Sequence, residues 1–95
     1  MPKQVVVLVR EKERQYEALR STLGLLLENH TVSMIVLDNE VQMSEEYKDN
    51  MELLDEVGGA RYSNVEANIR NYGFQMIGMD ELAEIIKKAD LVIPF

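Results

Sequence analysis

The stretch Val5-Val6-Val7-Leu8-Val9 decides the fold. It is an uninterrupted apolar run with a β-branched bias, so it reads as a strand covered on both faces, as in a parallel sheet. A polar segment follows, Arg10-Glu11-Lys12-Glu13-Arg14. A helical pattern then spans about residues 15–28, with Tyr16, Leu19, Leu23, Leu26 and Leu27 as its buried stripe. Gly24 interrupts this helix at a cost of about 1 kcal/mol against alanine, and close approach of the helix to the sheet is the expected reason. Asn29 suits a left-handed helix stop. A second run, TVSMIVL over residues 31–37, supplies the next strand.

The same alternation continues to Phe95. Ser44 reads as a helix N-cap, with Glu45 and Glu46 in the first turn where the helix dipole favours negative charge. Tyr47, Met51 and Leu54, continued by Val57, form the stripe of that second helix, and Gly58-Gly59 ends it. Residues 60–62 are a short third strand. Ser63-Asn64-Val65-Glu66 matches a capping box opening a third helix, with Val65, Ile69 and Tyr72 on one side and Gly73 as its stop. Residues 74–77 form a fourth strand. The fourth helix opens at Gly78-Met79-Asp80-Glu81, buries Leu82, Ile85, Ile86 and Ala89, and carries Lys87 and Lys88 in its last turn. Residues 90–95 (DLVIPF) close the pattern as a fifth strand. Strands alternating with helices imply right-handed crossovers. The expected architecture is a three-layer α/β/α sandwich around a five-stranded parallel sheet, in one domain over residues 1–95.

Composition narrows the function. The chain has 95 residues, 46% hydrophobic and 28% charged, which is ordinary globular composition. A net charge of −7 repels a phosphate backbone, so nucleic acid is not an expected partner. No apolar run reaches the length of a membrane span, and the first residues lack a signal-peptide cleavage pattern. A soluble, cytoplasmic protein is the expectation. There is no cysteine, which removes disulfides, thiolate nucleophiles, persulfides and Cys-ligated metals. A single histidine cannot build a multi-His metal site within one subunit. The six methionines read mostly as core filler.

In an open parallel sheet, ligands bind beyond the carboxyl ends of the strands. That rim offers Arg10, Asp38, Asn39, Ser63, Asn64 and Val65 as candidate ligand-binding residues. Several chemistries are excluded there. The loop after the first strand has no glycine, so it is neither a dinucleotide turn nor a P-loop. Ser63 needs a base, and His30 lies at the opposite end of a strand roughly 16 Å long. Glu45–Glu46 and Asp80–Glu81 are adjacent in helices and do not face each other as a catalytic pair would. No catalytic residue, cofactor or metal ligand set is read from the sequence.

The segment Arg20 to Val41, RSTLGLLLENHTVSMIVLDNEV, resembles the signature of the DsrE/DsrF-like family, including its YchN-like and TusD-like branches. In that family a helix ending in an ALGLA-like run leads through a short turn into a hydrophobic strand and a loop closing on valine. Gly58-Gly59-Ala60, Arg70-Asn71-Tyr72-Gly73-Phe74 and the closing MIGMDELAEIIKKADLVIPF are similar to the family's later segments. The resemblance implies a five-stranded α/β/α fold and homo-oligomers (dimers, trimers or hexamers), with other DsrE-like subunits as further partners. It also implies a persulfide-carrying cysteine just after the third strand. Counting back from Gly73, that place falls at Val65, or at Asn64 if the loop differs by one, and neither is cysteine. Three readings follow. The first is a non-catalytic, self-associating module that binds a partner or small ligand. The others are a scaffold subunit of a sulfur-transfer complex, and an enzyme using a bound cofactor at the rim.

Overall fold

The computed structural model describes residues 2–95. The elements run β1 (Gln4–Val9), a 3-10 turn (Lys12–Arg14), α1 (Gln15–Leu27), β2 (Thr31–Val36), α2 (Glu45–Glu56), β3 (Ala60–Ser63), α3 (Glu66–Tyr72), β4 (Gln75–Met76), α4 (Met79–Lys88) and β5 (Leu91–Pro94). The five strands are all parallel, in the order β4-β3-β2-β1-β5. From β1 the chain steps one way to β4, then crosses back to place β5 on the far side of β1. Right-handed crossovers in opposite directions put their helices on opposite faces. Packing agrees with that rule: residues of α1, α2 and α3 share one core cluster, whereas α4 packs against the other face.

The register explains the apolar runs. Val5 to Val9 pair with Val32 to Val36 in step. Val5, Val7, Val9, Val32, Met34 and Val36 meet Ala18, Leu19, Leu23, Tyr47, Met51, Leu54 and Phe74 on one face. Val6 and Ile35 meet Leu82, Ile85 and Ala89 on the other. Side chains of a strand alternate between faces, so a strand covered twice needs apolar residues at every position. Leu19, Met34, Ile35 and Leu54 are fully buried, and each such side chain contributes roughly 1.5–3 kcal/mol relative to exposure.

Local signals account for the turns. Ser44 Oγ accepts the Tyr47 backbone N–H at 3.0 Å and caps α2. Asn29 and Gly73 hold φ of 72° and 74°, the left-handed conformation that ends helices. A Cβ at Gly59 would lie 2.8 Å from side-chain atoms of Leu26 and Leu54, so one fits only if those leucines shift.

Several expectations are corrected. Gly24 faces outward with nothing within 4 Å of an added Cβ, so no close approach to the sheet explains it. The stripe of α1 is rotated from the expected one. Gln15, Ala18, Leu19, Thr22 and Leu23 are buried, and Leu27 is 74% exposed because it shares the outward face of α1 with Arg20 and Gly24. Val57 and Ile86 are also exposed. Ser63 is the last residue of β3 and not an N-cap; α3 starts from Val65 without a side-chain cap. The fourth strand is only Gln75–Met76, shorter than the expected 74–77, and pairs with β3 alone. Of the methionines, Met34 and Met51 are buried, whereas Met76 and Met79 are exposed; Met1 lies outside the described residues.

Candidate functional site

Strand order reverses between β1 and β5, and ligand crevices of open α/β sheets form at the carboxyl ends of strands where that happens. A depression of about 490 Å³ lies there, lined by Arg10, Glu11, Arg14, Asp38, Pro94 and Phe95. The backbone fixes its floor. Phe95 N donates to Leu8 O at 2.7 Å, and Arg10 N and Glu11 N donate to Phe95 O at 2.8 and 3.2 Å. The Arg14 guanidinium sits 4.7 Å over the Phe95 ring. It is also held by Glu17, with hydrogen bonds of 3.2 and 2.9 Å. That hydrogen bonding lowers the Glu17 carboxyl's pKa and raises that of the Arg14 guanidinium. Arg14 is therefore a committed wall of the crevice. Arg10 is exposed and, among the described residues, has no carboxylate within ion-pair distance.

A hydrogen-bonded network shapes the neighbouring loops. Asp38 N donates to Asn64 Oδ1 at 2.8 Å, and Asn64 Nδ2 donates back to Asp38 Oδ1 at 3.1 Å. Asp38 itself adopts φ of 69°, a conformation that short polar residues tolerate. Asn39 Nδ2 donates to Arg10 O at 3.0 Å, joining the loop after β2 to the loop after β1. Beneath them Asn68 is fully buried. Its Oδ1 accepts from Val41 N at 2.8 Å, and its Nδ2 donates to Asn39 O at 3.0 Å and to Ser63 Oγ at 3.1 Å. Gln15, also buried, donates to Glu40 O at 3.1 Å and accepts from Gln42 N at 2.9 Å. Two buried amide side chains thereby satisfy a loop that carries no regular structure of its own.

The six predicted residues divide by this geometry. Arg10 and Asp38 line the crevice. Asn39 and Asn64 brace it from behind. Ser63 is buried: its hydroxyl donates to Val36 O at 2.7 Å and accepts from Val65 N at 3.0 Å. Its proton and lone pairs are committed to the fold. His30, whose Nδ1 accepts from Lys3 N at 3.1 Å, stands at the amino end of β2. Val65 is half-buried at the start of α3.

Sequence reasoning missed Arg14, Gln15, Asn68 and Arg61. Gln15 and Asn68 are polar residues at buried helix positions, and such a position calls for a hydrogen-bond role. Arg61 reaches Asp55 through two 2.8 Å bonds, donates to Tyr72 O at 2.8 Å, and lies 4.8 Å over the Phe74 ring. Among the described residues, no group of three His, Asp or Glu side chains is placed to hold a metal ion. No helix of the described residues is long and apolar enough to cross a membrane.

No family model matches the sequence, and no curated protein or solved structure matches it either.

Proposed function

We propose that this protein is a non-catalytic, self-associating module of DsrE-like kind that holds a small anionic ligand in the crevice between the carboxyl ends of β1 and β5. The observation that carries the reading is Arg10. It lines the crevice, is exposed, and has no ion pair among the described residues, whereas Arg14 is held by Glu17 and Asp38 by Asn64. A guanidinium is a planar donor suited to carboxylate or phosphate oxygens. The Phe95 ring and Pro94 give the same depression an apolar wall.

The chemistry beside it supports binding without turnover. The sequence has no thiol to carry sulfur. Ser63 has no base within reach, and its hydroxyl is a structural crosslink. The DsrE-like part of the proposal is supported by the segments quoted above and by five parallel strands with helices on both faces.

Thermal unfolding in the presence of inorganic phosphate, succinate and adenosine monophosphate tests the reading. A ligand at ten times its Kd adds about 1.4 kcal/mol, which raises Tm by roughly 5–10 °C for a domain of this size. At least one probe is expected to do so, and the Arg10→Ala variant is expected to lose the shift. Flat melting curves with all three probes contradict the proposal, as does a shift that survives Arg10→Ala.

A further inference from the structure

Two opposite charges face the β1–β5 crevice without meeting. Arg10 and Asp38 both line it. Their loops are tied together, because Asn39, the residue after Asp38, donates through Nδ2 to Arg10 O at 3.0 Å. Asn64 holds the Asp38 backbone N–H and donates to Asp38 Oδ1. That amide orients the carboxylate but carries no charge to neutralise it. Among the described residues neither Arg10 nor Asp38 has an opposite charge within ion-pair distance.

The rest of the lining sets the charge of the ligand. Two cations, Arg10 and Arg14, stand with two carboxylates, Glu11 and Asp38, so the lining as a whole is formally neutral. Arg14 is already answered, first by its hydrogen bonds to Glu17 and then by the nearby charge of Glu11. One guanidinium and one carboxylate are left over. A dianion is attracted by Arg10 and repelled by Asp38, and an opposing like charge is how a site discriminates against a ligand. A molecule that carries a carboxylate and an ammonium side by side satisfies both groups. Exposed Pro94 and half-buried Phe95 add an apolar wall. A few polar groups beside apolar surface is the general make-up of small-molecule sites.

The geometry points to a zwitterion: the crevice takes a free α-amino acid with an apolar side chain. The Arg10 guanidinium donates to its carboxylate. Its ammonium donates to Asp38 Oδ2, the oxygen that Asn64 leaves free. Its side chain lies against Pro94 and Phe95. The inference rests on the reading of this crevice as a ligand site, and it names the ligand class.

Isothermal titration calorimetry of the full chain with L-leucine and L-phenylalanine, each against its N-acetyl derivative, tests it. Acetylation removes the ammonium and keeps the carboxylate and the side chain. At least one free amino acid is expected to bind roughly five- to tenfold more tightly than its N-acetyl derivative. Asp38→Asn removes the charge, keeps an acceptor for Asn64 and tolerates the left-handed φ of 69°. It is expected to erase the preference, leaving the two compounds within about twofold of each other. Arg10→Ala is expected to weaken both. Unchanged far-ultraviolet circular dichroism checks that each variant folds. N-acetyl derivatives that bind as tightly as the free amino acids overturn the zwitterion and leave the anion site standing, as does binding of succinate or inorganic phosphate without binding of either amino acid. A preference that survives Asp38→Asn overturns the zwitterion as well. No binding of any of these compounds at millimolar concentration overturns the anion site together with it.

Discussion

Asp38 and Asn64 exchange two hydrogen bonds, the Asp38 backbone N–H to Asn64 Oδ1 at 2.8 Å and Asn64 Nδ2 to Asp38 Oδ1 at 3.1 Å. The pair joins the loop after β2 to the loop after β3 across 26 residues of chain. Asn64 is one of the two positions at which the family resemblance places a reactive sulfur. In this chain that position is occupied by a side chain acting as a loop-to-loop fastener.

Replacing Asn64 by alanine is expected to cost about 1 kcal/mol, because the pair is exposed and water replaces the lost partners. Asp38→Gly is expected to be close to neutral. It loses one side-chain acceptor but relieves the left-handed φ of 69°. Urea denaturation of the two variants measures both.

Asn68→Ala is expected to be far more damaging, by about 3 kcal/mol. The substitution strands the buried Val41 N–H, takes a partner from the half-buried Asn39 C=O, and removes a donor to the buried Ser63 Oγ. Urea denaturation gives the loss. Hydrogen exchange is expected to show fastest opening over residues 38–43, the loop that Asn68 supports.

Tyr47 is 1% exposed, and its hydroxyl has no hydrogen-bond partner among the described residues. Tyr47→Phe keeps the ring's packing and removes that group, so the variant is expected to be as stable as the parent or more stable by up to about 2 kcal/mol. Burial holds the Tyr47 phenol above its ordinary pKa of 10.0. The unfolded chain therefore releases this proton first. Stability is intact below about pH 10 and falls as pH rises beyond it. Tyr47→Phe is expected to reduce that alkaline loss, read from melting curves between pH 9 and about pH 11.

Two glycines, Gly24 inside α1 and Gly59 in the turn between α2 and β3, are expected to respond oppositely to alanine. Gly24→Ala adds a methyl group in open space on a helix and is expected to stabilise by about 1 kcal/mol. Gly59→Ala drives a methyl group to 2.8 Å from Leu26 and Leu54 and is expected to destabilise by about 1–3 kcal/mol. Thermal melts of the pair check the sign of each.

The two glycines also show what the sequence discloses. Apolar runs such as Val5 to Val9 disclose the sheet, because a strand buried on both faces has no polar position. Turn chemistry discloses local stops, as at Asn29, Ser44 and Gly73. What each residue faces depends on strand order, and that order becomes visible only when β5 returns beside β1. Helix phase is a separate matter: the apolar pattern places Gly24 and Leu27 inward, whereas both lie on the solvent face of α1 with Arg20. Ser63 followed by Glu66 has the spelling of a capping box, but β3 extends through Ser63 and draws its hydroxyl to Val36 O. The rim residues Arg10 and Asp38 were legible because the carboxyl ends of parallel strands are fixed by the alternation alone. The roles of Asn68 and Gln15 were not, since a buried amide is recognised by partners that lie 25 to 29 residues away in sequence.

The most direct test of the binding claim is an isotope-labelled amide NMR titration with succinate and, separately, inorganic phosphate. Saturable shifts are expected at Arg10, Glu11, Asp38 and Phe95, the residues around the β1–β5 crevice, with the added probe recovered chemically unchanged. Shifts that gather on another surface, or spectra that stay still at millimolar probe, would contradict the account.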